Sequence, residues 1–460
     1  MMVRVLVGAL VAVGLMAGPA QAQEQDILER LRAVPGVTSV REDAAPTGYR
    51  FFNLTFHQPA DHRRPSSGSF EQRITILHKS TDRPMVLYTG GYNVRTTASR
   101  SEPTQLVDGN QLSVEQRFFT PSRPQGADWS DLNIWQAATD HHRLIEALKP
   151  IYGGNWISTG GSKGGMASVY HRRFYPHDVD GTVAYVAPSD PVNFEDSAYT
   201  RFFDTVGDEA CRDALVALQR EALGRRRAEL LARWKAAAAA ADLTFSHTVG
   251  TADRSLELSV LDTPWAFWQY LSEADCPSVP GSSASTDEIY GFIDSVVSFA
   301  FYTDQGLEPY IPYYFQAGTQ LGWPEPSFRH LRGLTRYPGL YEPRAVVPRE
   351  LPMRFEPLRM LDVNLWVRLQ GSELLFVYGE NDPWGAEPFR ISTWTRDSYW
   401  YEVENGNHGS NISRLAPSDK LAATETVQRW AGAETATRSA RRYIPGLDDY
   451  NPGLDRGLPF

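Results

Sequence analysis

Residues 156–166, WISTGGSKGGM, lead from a short apolar run into a serine that is flanked on both sides by glycines. Apolar residues then recur at helical spacing at Met166, Val169, Tyr170 and Phe174. The stretch therefore predicts a strand, a sharp turn at Ser162 and a helix. Glycines at the turn let strand and helix approach closely, because they carry no side chain and tolerate unusual dihedral angles.

Gly160-x-Ser162-x-Gly164 is the nucleophile-elbow pattern, in which a strained strand-to-helix turn exposes a serine hydroxyl. Three fixed residues also recur by chance in long chains, so the alternative is a structural glycine-rich turn. The apolar run before the serine and the helical period after it favour the catalytic interpretation. We expect Ser162 to be a nucleophile in an α/β-hydrolase sheet.

The composition of the chain limits its class. The 460 residues are 42% hydrophobic, which suits two or three domains or one domain with a large insertion. The formal net charge is −10, and a nucleic-acid partner, which would require clustered Lys and Arg, is disfavoured.

Residues 1–22 have the pattern of a secretory signal peptide. Arg4 precedes an apolar run over residues 5–17, and Ala20-Gln21-Ala22 forms a cleavage site. The apolar run is too short for a good membrane span, and no later stretch approaches ~18 apolar residues. We expect a mature chain that starts at Gln23, is secreted or periplasmic, and has no membrane partner.

Cys211 and Cys276 are the only cysteines in the sequence. In an oxidising compartment, two cysteines predict one disulfide, and two unpaired buried thiols are the alternative.

Short apolar segments predict the strands of the sheet. Residues 49–56 and 70–77 suit an antiparallel hairpin at a sheet edge, and residues 23–45 suit a short helix and an entry loop. Further strands are expected at residues 84–89, 156–161, 182–187, 374–378 and 399–403, with helices over residues 133–148 and 418–430.

Residues 194–338 show helical patterns without a clear buried strand. They include one long helix over residues 212–241, an aromatic helix that begins at Pro264, and a helix opened by a capping box at Ser285. The predicted division is a hydrolase core over residues 23–193 and 339–432, an inserted helical lid over 194–338, and a tail over 433–460. The predicted fold is α/β, an α/β-hydrolase sheet with this mostly helical lid.

Chain order selects the partners of Ser162, because α/β-hydrolases present Ser, then Asp or Glu, then His, after successive strands. His171 and His177 lie too close to the serine, His247 lies in the lid, and His330 follows no strand. His408 follows a strand between two glycines, and Asp382 follows the strand before it. Asn381-Asp382-Pro383 is also a common turn, which is the alternative for the acid.

Each residue of this set has a chemical role. Ser162 attacks a carbonyl carbon, His408 takes and returns its proton, and Asp382 orients the imidazole. The N–H groups of Lys163 and of Tyr92 or Gly91 are expected to form the oxyanion hole, for which the Lys163 side chain is not needed. An ordinary glycine turn is the alternative for Gly90-Gly91.

Adjacent His141 and His142 invite a metal interpretation, but neighbours in a helix do not share a face. We expect packing or surface roles for them, and neither metal nor cofactor in the protein.

Longer motifs resemble the secreted bacterial tripeptidyl aminopeptidases of serine peptidase family thirty-seven (PS-10 type). These motifs are residues 100–104 (RSEPT), 108–111 (DGNQ), 115–124 (EQRFFTPSRP), 160–166 (GGSKGGM), 302–306 (YTDQG), 379–384 (GENDPW) and 406–411 (GNHGSN). The resemblance implies an α/β-hydrolase with a helical cap that removes short peptides from free N-termini, and it assigns the triad to Ser162, Asp382 and His408. Gln116 departs from the Glu-His-Arg of related prolyl-bond exopeptidases, so no proline preference is inferred.

An exopeptidase must hold the substrate ammonium at a fixed distance from its nucleophile, and a buried ammonium requires a carboxylate. Glu102 and Asp304 are the predicted amine-binding residues, with Glu308 nearby, although each suits a surface acid or salt-bridge partner as well. A lipase or esterase on the same fold is the alternative function. A non-catalytic binding module would have lost a triad member, and none is lost.

Overall fold

The computed structural model describes residues 25–433 and 443–449. The predicted signal peptide and most of the predicted tail lie outside these residues.

Nine strands form one sheet in the order β1-β2-β3-β5-β4-β6-β7-β8-β9. β1 to β3 and the pair β3–β5 are antiparallel, and every pair from β5 through β4 to β9 is parallel. The strands are β1 (Val37–Asp43), β2 (Arg50–Pro59), β3 (Ser69–His78), β4 (Met85–Thr89), β5 (Asn110–Val114), β6 (Trp156–Gly161), β7 (Gly181–Tyr185), β8 (Leu374–Gly379) and β9 (Tyr399–Val403).

Thirteen α-helices lie in the described residues. They are α1 (Ile27–Arg32), α2 (Glu102–Val107), α3 (Ile134–Leu148), α4 (Lys163–Phe174), α5 (Ser197–Thr205), α6 (Glu209–Leu223), α7 (Arg227–Ala240), α8 (Ala252–Tyr270), α9 (Thr286–Val297), α10 (Asp304–Leu307), α11 (Ile311–Gln316), α12 (Leu358–Gln370) and α13 (Pro417–Trp430).

Helices cover both faces of the parallel sheet, as its fully buried strands require. Alternate residues of β7 and β8 point to opposite sides: Ala184 and Phe376 pack with α3, α4 and α12, and Val183 and Val377 pack with α2 and α13. The protein is therefore an α/β-hydrolase. From α5 to α11, the chain between β7 and β8 is helical and builds a separate hydrophobic cluster, although the lid boundaries at 194 and 338 remain a prediction.

The predicted hairpin is confirmed, with Leu54 of β2 paired to Ile74 of β3. β1 and β5 were not predicted, and β5 inserts between β3 and β4. All five residues of β5 are buried, although three of them are polar and only Leu112 and Val114 are apolar. The run therefore lacks the apolar pattern of a core strand.

Two helix predictions in the lid are wrong. The expected single helix over residues 212–241 is broken into α6 and α7 at Gly224, whose φ of −92° and ψ of −105° leave the helical region. Pro264 does not begin a helix but lies inside α8. A proline cannot donate to the carbonyl four residues earlier, and here the Nε2 of Gln219 donates to the Val260 oxygen at 2.9 Å instead.

Cys211 of α6 and Cys276 lie at disulfide distance, with their Cα atoms 5.4 Å apart, as predicted. No helix in the described part of the chain is both long and apolar enough to cross a membrane.

Candidate active site

Ser162 occupies the turn between β6 and α4 in a strained conformation, with φ 55° and ψ −127°. A side chain on Gly164 would overlap the carbonyl oxygen of Thr89, and a Cβ on Gly160 would lie 2.5 Å from the Gly164 carbonyl. The glycines therefore permit the close approach of β4, β6 and α4 that this turn requires, as the sequence predicted.

Asp382 and His408 follow β8 and β9, so all three predicted triad residues lie at the carboxyl edge of one parallel sheet. The Nδ1 of His408 and the Oδ2 of Asp382 are 2.7 Å apart, and both side chains are buried. The opposite nitrogen, Nε2, is buried without a hydrogen-bond partner in the described residues. This imidazole has one nitrogen fixed by a carboxylate and the other available to take a proton.

The lid contributes directly to the position of His408. The His408 N–H donates to the carbonyl of Gln269 at 3.2 Å, and the Asn407 side chain donates to the carbonyl of Leu271 at 3.1 Å. Both carbonyls lie at the C-terminal end of α8. Trp384 lies between lid and imidazole, with ring centroids 4.8 Å from Trp265 and 6.2 Å from His408.

Tyr92 contacts the nucleophile through its side chain, a role the sequence did not indicate. Its phenol lies near the Ser162 side chain, and burial keeps the pKa of that phenol well above its usual range, so the hydroxyl remains protonated and neutral. The rings of Phe119 and Tyr313 each lie 5.6 Å from the Tyr92 ring. The main-chain N–H groups of Tyr92 and Lys163 have no main-chain acceptor in the described residues, and their oxyanion role stays a prediction.

The side chain of Lys163 joins the elbow to the loop after β4. Its Nζ donates to the Gly91 carbonyl at 2.6 Å, in a setting where the residue is only 2% exposed. Burial lowers the pKa of this lysine to about 7. Gly91 has φ +74°, and a Cβ there would lie 2.7 Å from the Gly164 nitrogen. No function was predicted for this side chain, whereas in the structure it supports the predicted oxyanion loop through the Gly91 carbonyl.

The Glu115-Gln116-Arg117 motif also supports the loop that follows β4. Glu115 is fully buried, pairs with Arg73, and accepts from the Val94 N–H at 3.0 Å. The Gln116 N–H donates to the Tyr92 carbonyl at 2.9 Å. Arg117 forms a bidentate ion pair with Asp140 of α3 at 2.7 and 2.8 Å.

The two predicted amine-binding acids are already occupied by donors from the protein. Glu102 is buried and accepts from the Tyr185 hydroxyl at 2.8 Å and from two N–H groups that follow His408, those of Ile412 at 2.9 Å and Ser413 at 2.7 Å.

Asp304 accepts from the hydroxyls of Thr244 and Thr248 at 2.7 and 2.8 Å and from the His247 and Thr248 N–H groups. Glu308 is exposed. Amine binding by any of these acids remains a prediction, and their contacts favour structural roles.

His141 and His142 point to different neighbours, as expected. His142 bonds Asp178 at 2.9 Å, and His141 packs edge-on against His171. In the described residues, the one group of three side chains spaced to hold a metal is His142, Glu146 and Asp178. Asp178 precedes β7, so this group lies at the edge of the sheet opposite Ser162.

The sheet, the elbow and the buried imidazole–carboxylate pair define a hydrolase of the α/β class. Comparison with known proteins then gives the family: a model of the PS-10 peptidase S37 family matches residues 20–447. The chain belongs to that family and is a serine peptidase. This finding favours the peptidase interpretation over the lipase or esterase alternative.

One curated relative, the prolyl tri/tetrapeptidyl aminopeptidase of Streptomyces mobaraensis, is 53% identical over 456 residues, which is 98% of this chain and 95% of the relative. A prolyl carboxy peptidase like protein 5 of Caenorhabditis elegans is 30% identical over 132 residues, 25% of this chain and 26% of its own length. Among solved structures, a proline iminopeptidase of Mycobacterium smegmatis covers 86% of this chain and 99% of its own at 12% identity, with a TM-score of 0.34.

Proposed function

We propose that the protein is a secreted serine exopeptidase that releases short peptides, mainly tripeptides, from free N-termini. The observation that carries this proposal is the buried His408–Asp382 pair at the sheet edge that also holds Ser162, closed over by lid residues. The Streptomyces relative, which is named for tri- and tetrapeptidyl cleavage, supports the length of the product.

The proposed reaction follows from the geometry of the site, in which His408 Nδ1 lies 2.7 Å from Asp382 and Nε2 has no partner in the described residues. His408 Nε2 removes the Ser162 proton as the hydroxyl attacks the carbonyl carbon after the third residue of the substrate. Asp382 holds Nδ1–H and stabilises the imidazolium. The imidazolium then protonates the leaving amine, and water, activated by the same imidazole, releases the acyl peptide from Ser162.

Hydrogen-bond donors around Ser162 would stabilise the oxyanion of each tetrahedral intermediate. The candidates are the main-chain N–H groups of Lys163 and Tyr92 or Gly91 and the neutral phenol of Tyr92, each typically contributing ~3 kcal/mol when preorganised. Lys163 Nζ supports this arrangement indirectly through the Gly91 carbonyl.

Secretion rests on the pattern of residues 1–22 and on the spacing of Cys211 and Cys276. N-terminal sequencing of protein recovered from culture medium or periplasm should begin at Gln23. Recovery of the full-length chain in the cytoplasm alone would contradict this part of the proposal.

The catalytic assignment is tested with Ser162→Ala. We expect kcat for tripeptidyl anilides to fall by roughly 10⁴-fold or more, with the thermal unfolding midpoint nearly unchanged. Parent enzyme, but not Ser162→Ala, should react with a fluorophosphonate probe. Full peptidase activity in the variant would overturn the role of Ser162, and faster cleavage of short-chain esters than of any free-amine peptide would overturn the exopeptidase proposal.

A further inference from the structure

Three acids gather beside the active site at the carboxyl edge of the sheet. The segments that follow β7 and β8 pair with each other there: Pro188 and Pro388 form a bridge, and the Ser189 N–H donates to the Glu387 carbonyl at 2.7 Å. This pairing places Asp190 next to Glu387. Asp196, at the start of α5, completes the group.

Asp190 is buried without the partners that a buried carboxylate requires. It is only 4% exposed, and neither carboxylate oxygen has a hydrogen-bond partner in the described residues. The nearby Trp323 N–H donates to the Asn193 side chain at 2.7 Å. Gly322 covers Asp190 so closely that a Cβ would lie 2.8 Å from its Cγ. Burial of an unpaired carboxylate is costly, so this position calls for a ligand.

The surrounding charge has one sign. None of the three acids has an ion pair with a Lys, Arg or His of the described residues. Burial, followed by repulsion from neighbouring acids, raises the pKa of Asp190 to about 7 and that of Glu387 to about 8. A cation placed between Asp190 and Glu387 would remove this repulsion and return both carboxyls to the ionised form.

Aromatic rings connect these acids to the predicted triad. Tyr199 is 1% exposed, and its hydroxyl has no partner in the described residues. Burial, together with the charges of Asp190 and Glu387, raises the pKa of this phenol. The ring centroids of Tyr199 and Trp265 are 5.8 Å apart, and those of Trp265 and Trp384 are 4.8 Å apart. The Trp384 centroid in turn lies 6.2 Å from that of His408. The Tyr199 hydroxyl is thus a second buried polar group without a partner in the described residues, and the charges of Asp190 and Glu387 act on it.

We propose that Asp190 and Glu387 bind the α-ammonium of the peptide substrate, with the Tyr199 hydroxyl completing its hydrogen bonds. An ammonium has three N–H donors and a positive charge, which match two carboxylates and a hydroxyl oxygen. The aromatic wall then separates the bound amine from Ser162 and His408. This inference rests on the proposed exopeptidase function and assigns the amine to residues other than Glu102 and Asp304.

An ammonium fits better than a divalent metal. The carboxylates of Asp190, Asp196 and Glu387 do not form a group with oxygens all within 4.8 Å of one another, and the one such trio among the described residues lies elsewhere. An ammonium does not require all three acids, because its three N–H donors can be satisfied by two carboxylates and one hydroxyl oxygen.

The test compares Asp190→Asn and Glu387→Gln with Glu102→Gln, Asp304→Asn and the exposed control Glu425→Gln. Each variant is assayed with a free-amine tripeptidyl anilide and with its N-acetylated analogue. For Asp190→Asn and Glu387→Gln, we expect kcat/KM to fall roughly 30-fold or more on the free-amine substrate, since loss of one partner of a buried charge pair has effects of that size. Activity on the acetylated analogue should change less than about threefold.

A loss on both substrates, or a loss confined to Glu102→Gln or Asp304→Asn, would overturn the assignment to Asp190 and Glu387. Activation of the parent enzyme by Ca²⁺, abolished in Asp190→Asn and independent of substrate acetylation, would overturn it in favour of a metal. If the parent enzyme cleaves free and acetylated peptides equally well, the exopeptidase proposal itself fails, which is a distinguishable result.

Folding provides a separate readout. Asp190→Asn replaces an unpaired buried carboxyl by an isosteric neutral group, so the thermal unfolding midpoint should stay equal or rise. Fluorophosphonate labelling of Ser162 should proceed at the parent rate in both variants. A lowered midpoint with slow labelling would show a structural role for Asp190 and overturn its assignment as a ligand-binding residue.

Discussion

Lys163 is the residue whose role depends most on its surroundings, because its Nζ is buried against the Gly91 carbonyl at 2.6 Å. The ammonium also lies 5.5 Å from the ring centre of Tyr92 and 5.3 Å from that of Phe119. It therefore holds the loop whose N–H and phenol groups face Ser162. We regard it as a positioning residue and not as a catalytic one.

Lys163→Met should lower kcat by at least about tenfold while KM for tripeptidyl anilides changes little, since displaced oxyanion donors affect the transition state more than the bound substrate. Lys235→Met, an exposed lysine of α7, is the control and should retain parent activity. An unchanged kcat in Lys163→Met would refute the bracing role.

The same variant has a predicted effect on the pH dependence of stability. Burial lowers the pKa of Lys163 from 10.5 to about 7, so between these values the unfolded chain binds more protons than the folded one. The free energy of unfolding of the parent should therefore increase as the pH rises from about 7 to 10.5. Below pH 7, the buried lysine destabilises the fold by its full amount.

Lys163→Met should consequently stabilise the fold most at or below pH 7, with the gain vanishing near pH 10.5. Denaturant titrations across this range measure the difference. A gain that is constant with pH would show that Lys163 titrates in the folded state as it does in the unfolded chain.

At the scale of elements, the nucleophile elbow depends on backbone contact between β4, β6 and α4. Gly164→Ala would drive a methyl group into the Thr89 carbonyl, so we expect loss of activity and a lower free energy of unfolding by several kcal/mol, as for other overpacked cores (~1–3 kcal/mol or more). Gly291→Ala is the matched control, because no atom lies within 4 Å of the added methyl and the residue is inside α9.

Gly291→Ala should stabilise the protein by roughly 0.5–1 kcal/mol through helix propensity. Chemical denaturation and peptidase assays of the two variants separate the predictions. Normal activity in Gly164→Ala would mean that the elbow tolerates a wider spacing than the structure shows.

At the scale of the whole molecule, lid and core form one unit around the site. The lid carbonyls of Gln269 and Leu271 hold the loop of His408, and Glu102 ties α2 to the end of the same loop. The Cys211–Cys276 link joins α6 to the segment that follows α8. A looser lid should therefore disturb His408 as well as substrate binding.

Cys211→Ser/Cys276→Ser should lower the free energy of unfolding by up to about 4 kcal/mol, the chain-entropy value for a loop of 65 residues. Peptidase activity should be lost at a lower temperature than in the parent enzyme. Non-reducing peptide mapping of the parent should recover the two cysteines in one linked peptide. Two alkylatable thiols in the native secreted protein would contradict the pairing.

Local patterns in the sequence were sufficient for the framework of the protein. The elbow, the β2–β3 hairpin, the strands β4 and β6 to β9 and the spacing of Ser162, Asp382 and His408 along successive strands were all predictable, because each depends on apolar periodicity or turn residues within a few positions. The same reasoning misplaced the start of α8, since a proline inside a helix is tolerated only where a distant group, here Gln219, satisfies the freed carbonyl.

The partners of buried polar groups could be decided only by the tertiary structure. Glu102 and Asp304 were plausible amine ligands in the sequence, and folding brings their own donors to them from residues 185, 244, 248, 412 and 413. No sequence pattern around Asp190 indicated a functional role. Folding nevertheless buries Asp190 beside Glu387, almost two hundred residues away, and leaves both of its carboxylate oxygens without a hydrogen-bond partner in the described residues. Periodicity determines which residues are buried, but hydrogen-bonding and charge pairing depend on which distant segments meet.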